Sequence, residues 1–270
     1  MKLAIQTLRL PGETMAEKFA AAARTGFDGV EVSVGPFFDL AQGIAEVEAA
    51  SAESGVPVCA ICTHSIHDPL VPDADERARR FAGLADLLRM ADELGAAGVI
   101  SVPVRPPHAF PDMTDLPREL MAWGAEQMTA WAATLPDCGA QVFLEPLNRY
   151  EAFFLRRVEQ AAELAERVGS PRVAALADLF HMQLEELDQA AAIRAAGARL
   201  GHVHIADNTR LQPGVGCLDF ATPFAALKEI GYAAWVSIEC GALGGPNTSA
   251  GPEALLTASA AFTRDQWNAA

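Results

Sequence analysis

Four polar side chains follow four apolar runs in the second half of the chain, and their types suit metal chemistry. The apolar runs cover residues 141–144, 173–177, 200–203 and 235–238, and the residues that follow them are Glu145, Asp178, His204 and Glu239. Intervals of 33, 26 and 35 residues accommodate one strand and one returning helix per unit, so the four ends should meet at one rim of a parallel sheet. Two Glu, one Asp and one His at a common rim predict a metal site, and hence a metalloenzyme.

The charge of this residue set favours some metals over others. Three carboxylates and one neutral imidazole carry a formal charge of −3, which suits cations that prefer oxygen ligands. We therefore expect Mn²⁺ first, with Co²⁺ or Mg²⁺ as alternatives, and Zn²⁺ less readily because structural zinc usually recruits cysteine. A strand that ends at solvent explains any one of the four residues, but not four in succession.

The rest of the chain repeats the same strand-then-helix unit. Further strands are predicted at residues 3–8, 29–34, 58–63 and 98–104, and helices at 14–25, 39–54, 73–94, 116–135, 153–168, 188–196, 220–230 and 252–262. Eight such alternations predict an α/β fold with a closed (β/α)8 TIM barrel, in which residues 1–270 form a single domain. No GxGxxG sequence follows the first strand, which disfavours a dinucleotide-binding fold.

Composition narrows the possible partners. A formal charge of −15 disfavours nucleic acid, whose phosphates bind clustered Lys and Arg. The chain has no long uncharged apolar segment and no signal-like N-terminus, so we expect no membrane partner and a cytoplasmic location. Five scattered cysteines predict reduced thiols, and Cys59 and Cys62, although spaced as CxxC, lie in a strand pattern that does not favour a redox or zinc pair.

Five motifs in the second half carry a family resemblance. In chain order they are LEPLNRYE at 144–151, DLFHM at 178–182, GHVHIADNTR at 201–210, PGVG at 213–216 and SIEC at 237–240. Together they resemble the xylose isomerase-like barrel superfamily and, within it, ketose 3-epimerases of the D-tagatose and D-allulose (psicose) 3-epimerase type. The match is dense from about residue 141 to 241, whereas the first half agrees mainly in its barrel pattern.

The resemblance implies roles for seven residues. It places the metal on Glu145, Asp178, His204 and Glu239, with Glu145 and Glu239 also acting as acid and base on opposite faces of a ketose. It implies that the substrate oxygens are held by Glu151, His181 and Arg210. It also implies a small sugar as the partner and a homodimer or homotetramer as the assembly. Proton removal beside a ketone gives an enediolate, whose negative charge a divalent metal stabilises, and return of the proton on the other face inverts the carbon.

The loops of the first half leave several roles open. The segments that follow the first and fourth strands offer Arg9 and Arg105, which could bind a phosphate or carboxylate. His67 is predicted to contact the substrate, with His64 as the alternative after the same strand, and the role of His108 in the loop after the fourth strand stays open. His202 shares strand parity with His204, so we expect it inside the barrel beneath the metal.

Other functions use the same residues. Proton return to a neighbouring carbon would make the enzyme an aldose–ketose isomerase, and lyases or dehydratases also begin with proton removal beside a carbonyl. An endonuclease IV-type DNA-repair enzyme would hold three zinc ions with help from His67, His108 and His181, but the negative charge disfavours it. A barrel whose site no longer catalyses a reaction is the remaining alternative.

Overall fold

Eight parallel strands close into a barrel in the described part of the chain. The computed structural model describes residues 1–36, 38–105, 110, 113–135, 138–245 and 249–270. The strands follow each other around the barrel in chain order, and β1 pairs with β8 to close it. They are β1 (Lys2–Gln6), β2 (Gly29–Ser33), β3 (Val58–Cys62), β4 (Gly98–Ser101), β5 (Gln141–Leu144), β6 (Val173–Asp178), β7 (Leu200–Ile205) and β8 (Trp235–Ile238).

Helices connect successive strands on the outside of the barrel. They are α1 (Met15–Thr25), α2 (Leu40–Ser54), α3 (Ala74–Glu93), α4 (Leu116–Ala132), α5 (Val158–Val168), α6 (Leu179–Glu185), α7 (Gln189–Ala196), α8 (Ala221–Glu229) and α9 (Pro252–Ala269). Side-chain caps fix several of their starts: the Thr14 hydroxyl accepts from the Glu17 N–H, and Asp39 and Asp73 each accept the N–H three residues ahead. No described helix combines the length and hydropathy that a bilayer crossing requires.

Alternation along the strands separates two buried layers. Outward side chains such as Leu3, Val32 and Val203 pack beneath the helices in the main core, while inward side chains such as Phe143 and Leu176 fill the barrel. The inner layer is not wholly apolar, because Glu31 and His202 are fully buried in it. Side chains alternate along each strand, so the residue two positions after an inward-facing core residue also points inward. That residue lies at the carboxyl end of the strand, at the rim of the barrel.

The barrel prediction is confirmed, with local differences. Strand β4 ends at Ser101 and not at residue 104, since Pro103 has no N–H to continue a ladder. Helix α5 begins at Val158 and not at 153, and the Gln160 side chain accepts from the Arg156 and Arg157 N–H groups at this start. Helix α6 was not predicted. The five cysteines are free thiols.

Candidate active site

The four predicted ligands meet at the carboxyl rim because of the strand register. Asp178 of β6 lies opposite His204 of β7 in the ladder. Glu145 and Glu239 each extend a strand by one backbone hydrogen bond, to the Ser101 and Ile205 carbonyls respectively, both at 3.0 Å. All four residues have inward parity, so their side chains converge above the apolar inner layer.

His204 lies between the two glutamates. Its Nδ1 is 3.0 Å from Glu145 Oε1 and 3.4 Å from Glu239 Oε2, and its ring is fully buried. Burial alone lowers the pKa of an imidazole, but the charges of Glu31, Glu239 and Glu145 outweigh burial and raise the pKa of His204 well above its usual value. Any cation that binds Nδ1 must therefore displace a proton.

The two carboxylates predicted as acid and base have opposite electrostatic surroundings. Burial raises the pKa of Glu145, and the charge of Glu239 raises it further. Burial also opposes ionisation of Glu239, but the charge and hydrogen bond of His204 and the charge of Arg210 lower its pKa to about 2. Opposite shifts in neighbouring carboxyl groups separate a proton donor from a proton acceptor.

Arg210 joins the carboxylates on the other side of the site. Its Nη1 donates to Asp178 Oδ2 at 3.1 Å and its Nη2 to Glu239 Oε2 at 2.8 Å. The guanidinium lies 4.3 Å from the centre of the Phe180 ring, which restricts its rotation. Arg210 also has a φ of +58°, a strained backbone conformation for a residue other than glycine, and such strain is concentrated at functional sites.

A buried aspartate holds the loop that carries Arg210. The Asp207 carboxylate accepts from the N–H groups of Asn208, Gly214 and Leu218 at 2.9, 3.0 and 3.1 Å. A Cβ on Gly216 would lie 2.2 Å from the side-chain oxygens of both Asp207 and Asn208. The PGVG motif therefore lets the loop fold tightly around Asp207, which fixes the backbone next to Arg210.

His181 lies in the first turn of α6 and is held by Asn148. Its Nδ1 accepts from the Asn148 backbone N–H at 3.1 Å and from Asn148 Nδ2 at 2.8 Å. Its Nε2 lies 3.1 Å from Arg210 Nη1 and 3.4 Å from Asp178 Oδ2, so the ring is held between Asn148 and these two charged groups. Asp178 also caps α6 by accepting from the Phe180 N–H at 2.8 Å, so one residue both ends the strand and orients the helix.

Tautomers distinguish the two imidazoles that face the carboxylates. A cation binds only a ring nitrogen without a proton. His181 has Nδ1 occupied by Asn148, so its Nε2, 3.1 Å from Arg210 Nη1, is the nitrogen that faces the site. His204 has Nε2 at 3.0 Å from the buried carboxylate of Glu31, so Nδ1 is the nitrogen that can become free on the side of Glu145 and Glu239.

The donor set fits a divalent cation. One ligand atom each from Glu145, Asp178, His181 and Glu239 lies within 4.8 Å of the others, and His204 Nδ1 borders the same glutamates. Three carboxylates against the single guanidinium of Arg210 leave an excess of negative charge at this point. Oxygen-rich sets with one or two imidazoles are typical of Mg²⁺, Mn²⁺ and related ions.

Glu151 lies at the outer edge of the same group. Its side chain is about half exposed, at 51%, and its Oε1 accepts from Asn148 Nδ2 at 2.9 Å. Because Asn148 also holds His181, both residues depend on one amide for their orientation. A carboxylate at the mouth of the site offers an acceptor for a hydroxyl group.

Two adjoining cavities open over the carboxylates. One, of about 380 Å³, is lined on the side of β1, β2 and β3 by Gln6, Ser33, Thr63 and His64. The other, of about 470 Å³, is lined by Tyr150, Glu151, His181 and Arg210. Arg105, Glu145 and Glu239 line both. The candidate acid and base therefore lie where the two cavities meet.

The predicted histidines of the first half are distributed differently. His67 packs against Gly83 of α3, where an added Cβ would lie 2.9 Å from its Nδ1, and it is not among the residues that line either cavity. His64 lines the smaller cavity, and the prediction for His108 lies outside the described residues. His202 lies inside the barrel as expected, stacked on Phe143.

Two buried polar residues near the site were not recognised from the sequence. Glu31 contacts His204, and Gln6 Nε2 donates to both Glu31 Oε1 and Glu239 Oε1 at 2.8 Å. A signal was present: Glu31 is a charged residue in the middle of an apolar strand, GVEVS, whose other residues predict burial. A buried carboxylate needs partners, which indicates a role in a polar network.

The buried Asp68, whose Oδ2 lies 3.3 Å from Arg105 Nε, provides a pH-dependent contribution to stability. Burial raises the pKa of Asp68 to about 7, although Arg105 and Arg80 lower it, and its Oδ1 has no hydrogen-bond partner in the described part of the chain. A carboxyl pKa above its unfolded value of about 3.9 means that stability is full below about pH 4 and is lost as the pH rises through about 7.

We therefore expect the stability of Asp68→Asn, relative to that of the wild type, to increase when the pH is raised from 5 to 8. The gain should be on the order of 2 kcal/mol in the free energy of unfolding, because the amide has no proton to lose. Urea denaturation at both pH values measures it. Asp86→Asn, on the surface beside Arg89, is the control and should behave alike at both pH values. If Asp68→Asn and the wild type differ by the same free energy of unfolding at pH 5 and at pH 8, the raised pKa of Asp68 is contradicted.

Comparisons with known proteins agree with this fold. The family model described as "Xylose isomerase-like TIM barrel" matches residues 19–266. The curated 3-dehydro-D-guloside 4-epimerase of Escherichia coli (strain K12) is 34% identical over 250 residues, which are 88% of this chain and 92% of that protein. A probable ketose 3-epimerase of Synechocystis sp. is 30% identical and covers 82% of this chain and 76% of its own length.

A solved structure extends the similarity to the whole barrel. The crystal structure of D-psicose 3-epimerase with D-tagatose from Clostridium cellulolyticum H10 superposes with a TM-score of 0.85 at 25% identity, over 99% of each chain. The chain belongs to the xylose isomerase-like TIM barrel family. Its full-length relatives are epimerases of ketoses or of a keto-sugar glycoside, and the protein is a sugar epimerase.

Proposed function

We propose that this epimerase inverts a carbon beside the keto group of its sugar by moving protons through Glu145 and Glu239. The observation that carries the proposal is the convergence of these two carboxylates, with His204 Nδ1 3.0 and 3.4 Å from them, at the junction of the two cavities. Their opposite pKa shifts support separate roles as proton donor and proton acceptor.

The proposed cation ligands are Glu145, Asp178, His204 and Glu239. Mn²⁺ is the proposed ion, with Co²⁺ or Mg²⁺ next and Zn²⁺ less suited, because carboxylates outnumber imidazole in the set. When bound, the cation stabilises the negative charge that develops on the substrate oxygens. The protein's own task is to hold the reacting carbon between the two carboxylates.

The proton transfers balance without any other reactant. One carboxylate takes the proton from the carbon next to the ketone, and the electron pair of that C–H bond forms the enediolate. The other carboxylate gives a proton to the opposite face of the same carbon, so that carbon is inverted and nothing is oxidised or reduced. Glu239 is ionised and can accept a proton, but its low pKa makes it a weak base that acts through its position, and the raised pKa of Glu145 suits it to donate a proton.

Three further residues are proposed to bind the substrate oxygens. His181 offers its Nε2, Arg210 offers its guanidinium, and Glu151 offers an acceptor at the mouth of the larger cavity. His181 and Arg210 already converge on Asp178 Oδ2, at 3.4 and 3.1 Å, so they are positioned next to the proposed cation site. Substrate contact by His67 stays a prediction, and its packing against α3 gives it no support.

A free ketose, inverted at carbon 3, is the first candidate substrate, and a keto-glycoside is the second. The second candidate is favoured by a specific observation. The Escherichia coli relative, which aligns with this chain over 92% of its own length, acts by its name on a 3-dehydro-guloside at carbon 4. The smaller cavity on the side of β1 to β3 provides room for a group beyond the reacting ring. Both substrates place an acidic C–H beside a ketone, so the chemistry is the same.

The test is proton exchange in D₂O. Protein stripped of metal is supplied with Mn²⁺ and incubated with D-psicose, D-tagatose or a 3-keto-glucoside, and NMR locates the deuterium. We expect deuterium at the inverted carbon and no exchange in the chelator-treated sample. Deuterium at carbon 1 or 2 of a ketose would instead identify an aldose–ketose isomerase, and loss of water would identify a dehydratase. Cleavage of abasic DNA without sugar exchange would contradict the proposal.

Three other expectations stay predictions. They are a single domain over residues 1–270, a homodimer or homotetramer, and a cytoplasmic location. Light scattering on the purified protein measures the number of subunits.

A further inference from the structure

The barrel interior contains a buried carboxylate that the proposed chemistry does not use. Glu31 lies in the middle of β2, opposite Gln6 of β1, and its side chain has no exposure to solvent. It lies one layer below the strand-end residues, so it does not reach either cavity. A charged carboxylate in this position is unfavourable unless donors surround it.

Three donors surround Glu31. Oε1 accepts from Gln6 Nε2 at 2.8 Å, and Oε2 accepts from His202 Nε2 at 2.9 Å and from His204 Nε2 at 3.0 Å. Burial would raise the pKa of Glu31, but the charge of His204 and the hydrogen bonds of the two imidazoles keep it well below its ordinary value. With N–H donors at 2.8 to 3.0 Å, the carboxylate acts as an acceptor at both oxygens.

Hydrogen bonds from Glu31 continue to Glu239. Gln6 has two amide hydrogens, and Nε2 lies 2.8 Å from both Glu31 Oε1 and Glu239 Oε1. The amide nitrogen must face the two carboxylates, since its carbonyl oxygen would be repelled by them. Glu31 thus connects a proposed nitrogen ligand, His204, with a proposed catalytic carboxylate, Glu239, through a single buried amide.

His202 has a different role from His204 in this network. Its Nδ1 has no hydrogen-bond partner within the described residues, and its ring stacks on Phe143 with centres 5.2 Å apart. Burial lowers the pKa of His202, so it is a neutral donor to Glu31 and a packing residue. The ring closes the lower side of the network, with its centre 5.1 Å from that of the His204 ring.

We propose that Glu31 is a positioning residue that fixes the tautomer and orientation of His204 and, through Gln6, the orientation of the Glu239 carboxylate. When the proton of His204 is held on Nε2, Nδ1 is left to bind a cation. An anionic acceptor at Nε2–H also raises the electron density at Nδ1, which strengthens its bond to the cation. This inference rests on the proposed function, because it assumes that His204 and Glu239 bind a divalent ion. An apolar side chain could fill the same space but could not orient either residue.

The experiment measures Mn²⁺ binding without substrate. Glu31→Gln keeps the shape but removes the charge, and its amide would have to place an NH₂ group against Gln6 or against the two imidazoles. We expect the Kd for Mn²⁺, measured by calorimetry, to rise by about 10- to 100-fold. We also expect the ¹⁵N shifts of His204, recorded without metal, to change because Nε2–H loses its anionic acceptor. Glu186→Gln, a half-buried carboxylate that accepts the Val158 N–H away from the site, is the matched control and should bind Mn²⁺ like the wild type.

A second variant keeps the proposal falsifiable if Glu31→Gln does not fold. Gln6→Met preserves length and removes the donor to Glu31 and Glu239, and it should also weaken Mn²⁺ binding, by about tenfold. If the wild type binds Mn²⁺ and a folded Glu31→Gln or Gln6→Met protein binds it within twofold, the positioning role is wrong while the proposed function stands. If the wild type itself binds no Mn²⁺, the proposed function and this inference both fail.

Discussion

Glu239→Gln is expected to reduce kcat by about 10³-fold or more while the barrel remains folded. A positioned acid or base contributes about 10²–10⁴-fold, and this residue is also proposed to bind the cation. The amide cannot take a proton, and it loses the charge attraction to Arg210 Nη2, 2.8 Å away, and to His204. Turnover of the best substrate from the exchange panel, measured at saturating Mn²⁺, gives kcat, and circular dichroism reports the fold.

The Glu145→Gln variant tests whether two opposed carboxylates share the proton transfer. Each variant retains one carboxylate, so each should exchange deuterium into only one of the two epimers, and the favoured epimer should differ between the variants. Glu253→Gln, a surface carboxylate paired with Arg24, is the control and should retain wild-type kcat. A Glu239→Gln protein with normal Mn²⁺ content and kcat within threefold of wild type would remove Glu239 from the chemistry.

Removal of divalent metal is expected to abolish turnover and to lower the melting temperature. A cation at 100 times its Kd stabilises the native state by about 2.7 kcal/mol, which corresponds to a shift of about 5–10 °C for a chain of this size. Chelation followed by gel filtration prepares the sample, and thermal denaturation with and without Mn²⁺ measures the shift. Equal melting temperatures and undiminished turnover after chelation would exclude a functional metal.

The same site predicts the pH dependence of metal binding. The charges of Glu31, Glu239 and Glu145 raise the pKa of His204 although burial opposes them, so Nδ1 carries a proton that the cation must displace. Lower pH favours the protonated ring, and the Kd for Mn²⁺ should therefore rise by about tenfold per pH unit if one proton is released. Titration at pH 6, 7 and 8 measures the slope, and a Kd independent of pH would exclude His204 as a ligand.

Much of the candidate site follows from two regularities of the sequence. Strand parity places Glu145, Asp178, His204 and Glu239 on one face, and the carboxyl ends of parallel strands share one rim. Both rules act locally on each strand, so spacing and apolar runs are enough to predict the convergence. Arg210 and His181 lie outside the strands, and only the family motifs indicated them.

The network below the rim could not be predicted in the same way. Parity places Glu31 and His202 inside the barrel, but they are 171 residues apart in the chain. Which inner residues meet depends on the stagger of the closed barrel, a property of all the strands together. Helix α6 was missed for a local reason: Asp178 both ends β6 and caps the helix, so no separate start signal is present.

The two halves of the barrel rim contribute different things, and this division has an evolutionary consequence. Strands β5 to β8 supply the residues proposed for proton transfer, whereas residues from β1 to β3 and the segments that follow them line the smaller cavity. Substitutions at Ser33 or His64 therefore change the lining of the smaller cavity without changing the residues proposed for proton transfer. A duplicated gene that keeps Gln6 and Glu31, which hold Glu239 and His204, can acquire a new sugar by other changes in its first half. Exchange of that half between relatives, with these two residues retained, is a practical route to altered selectivity.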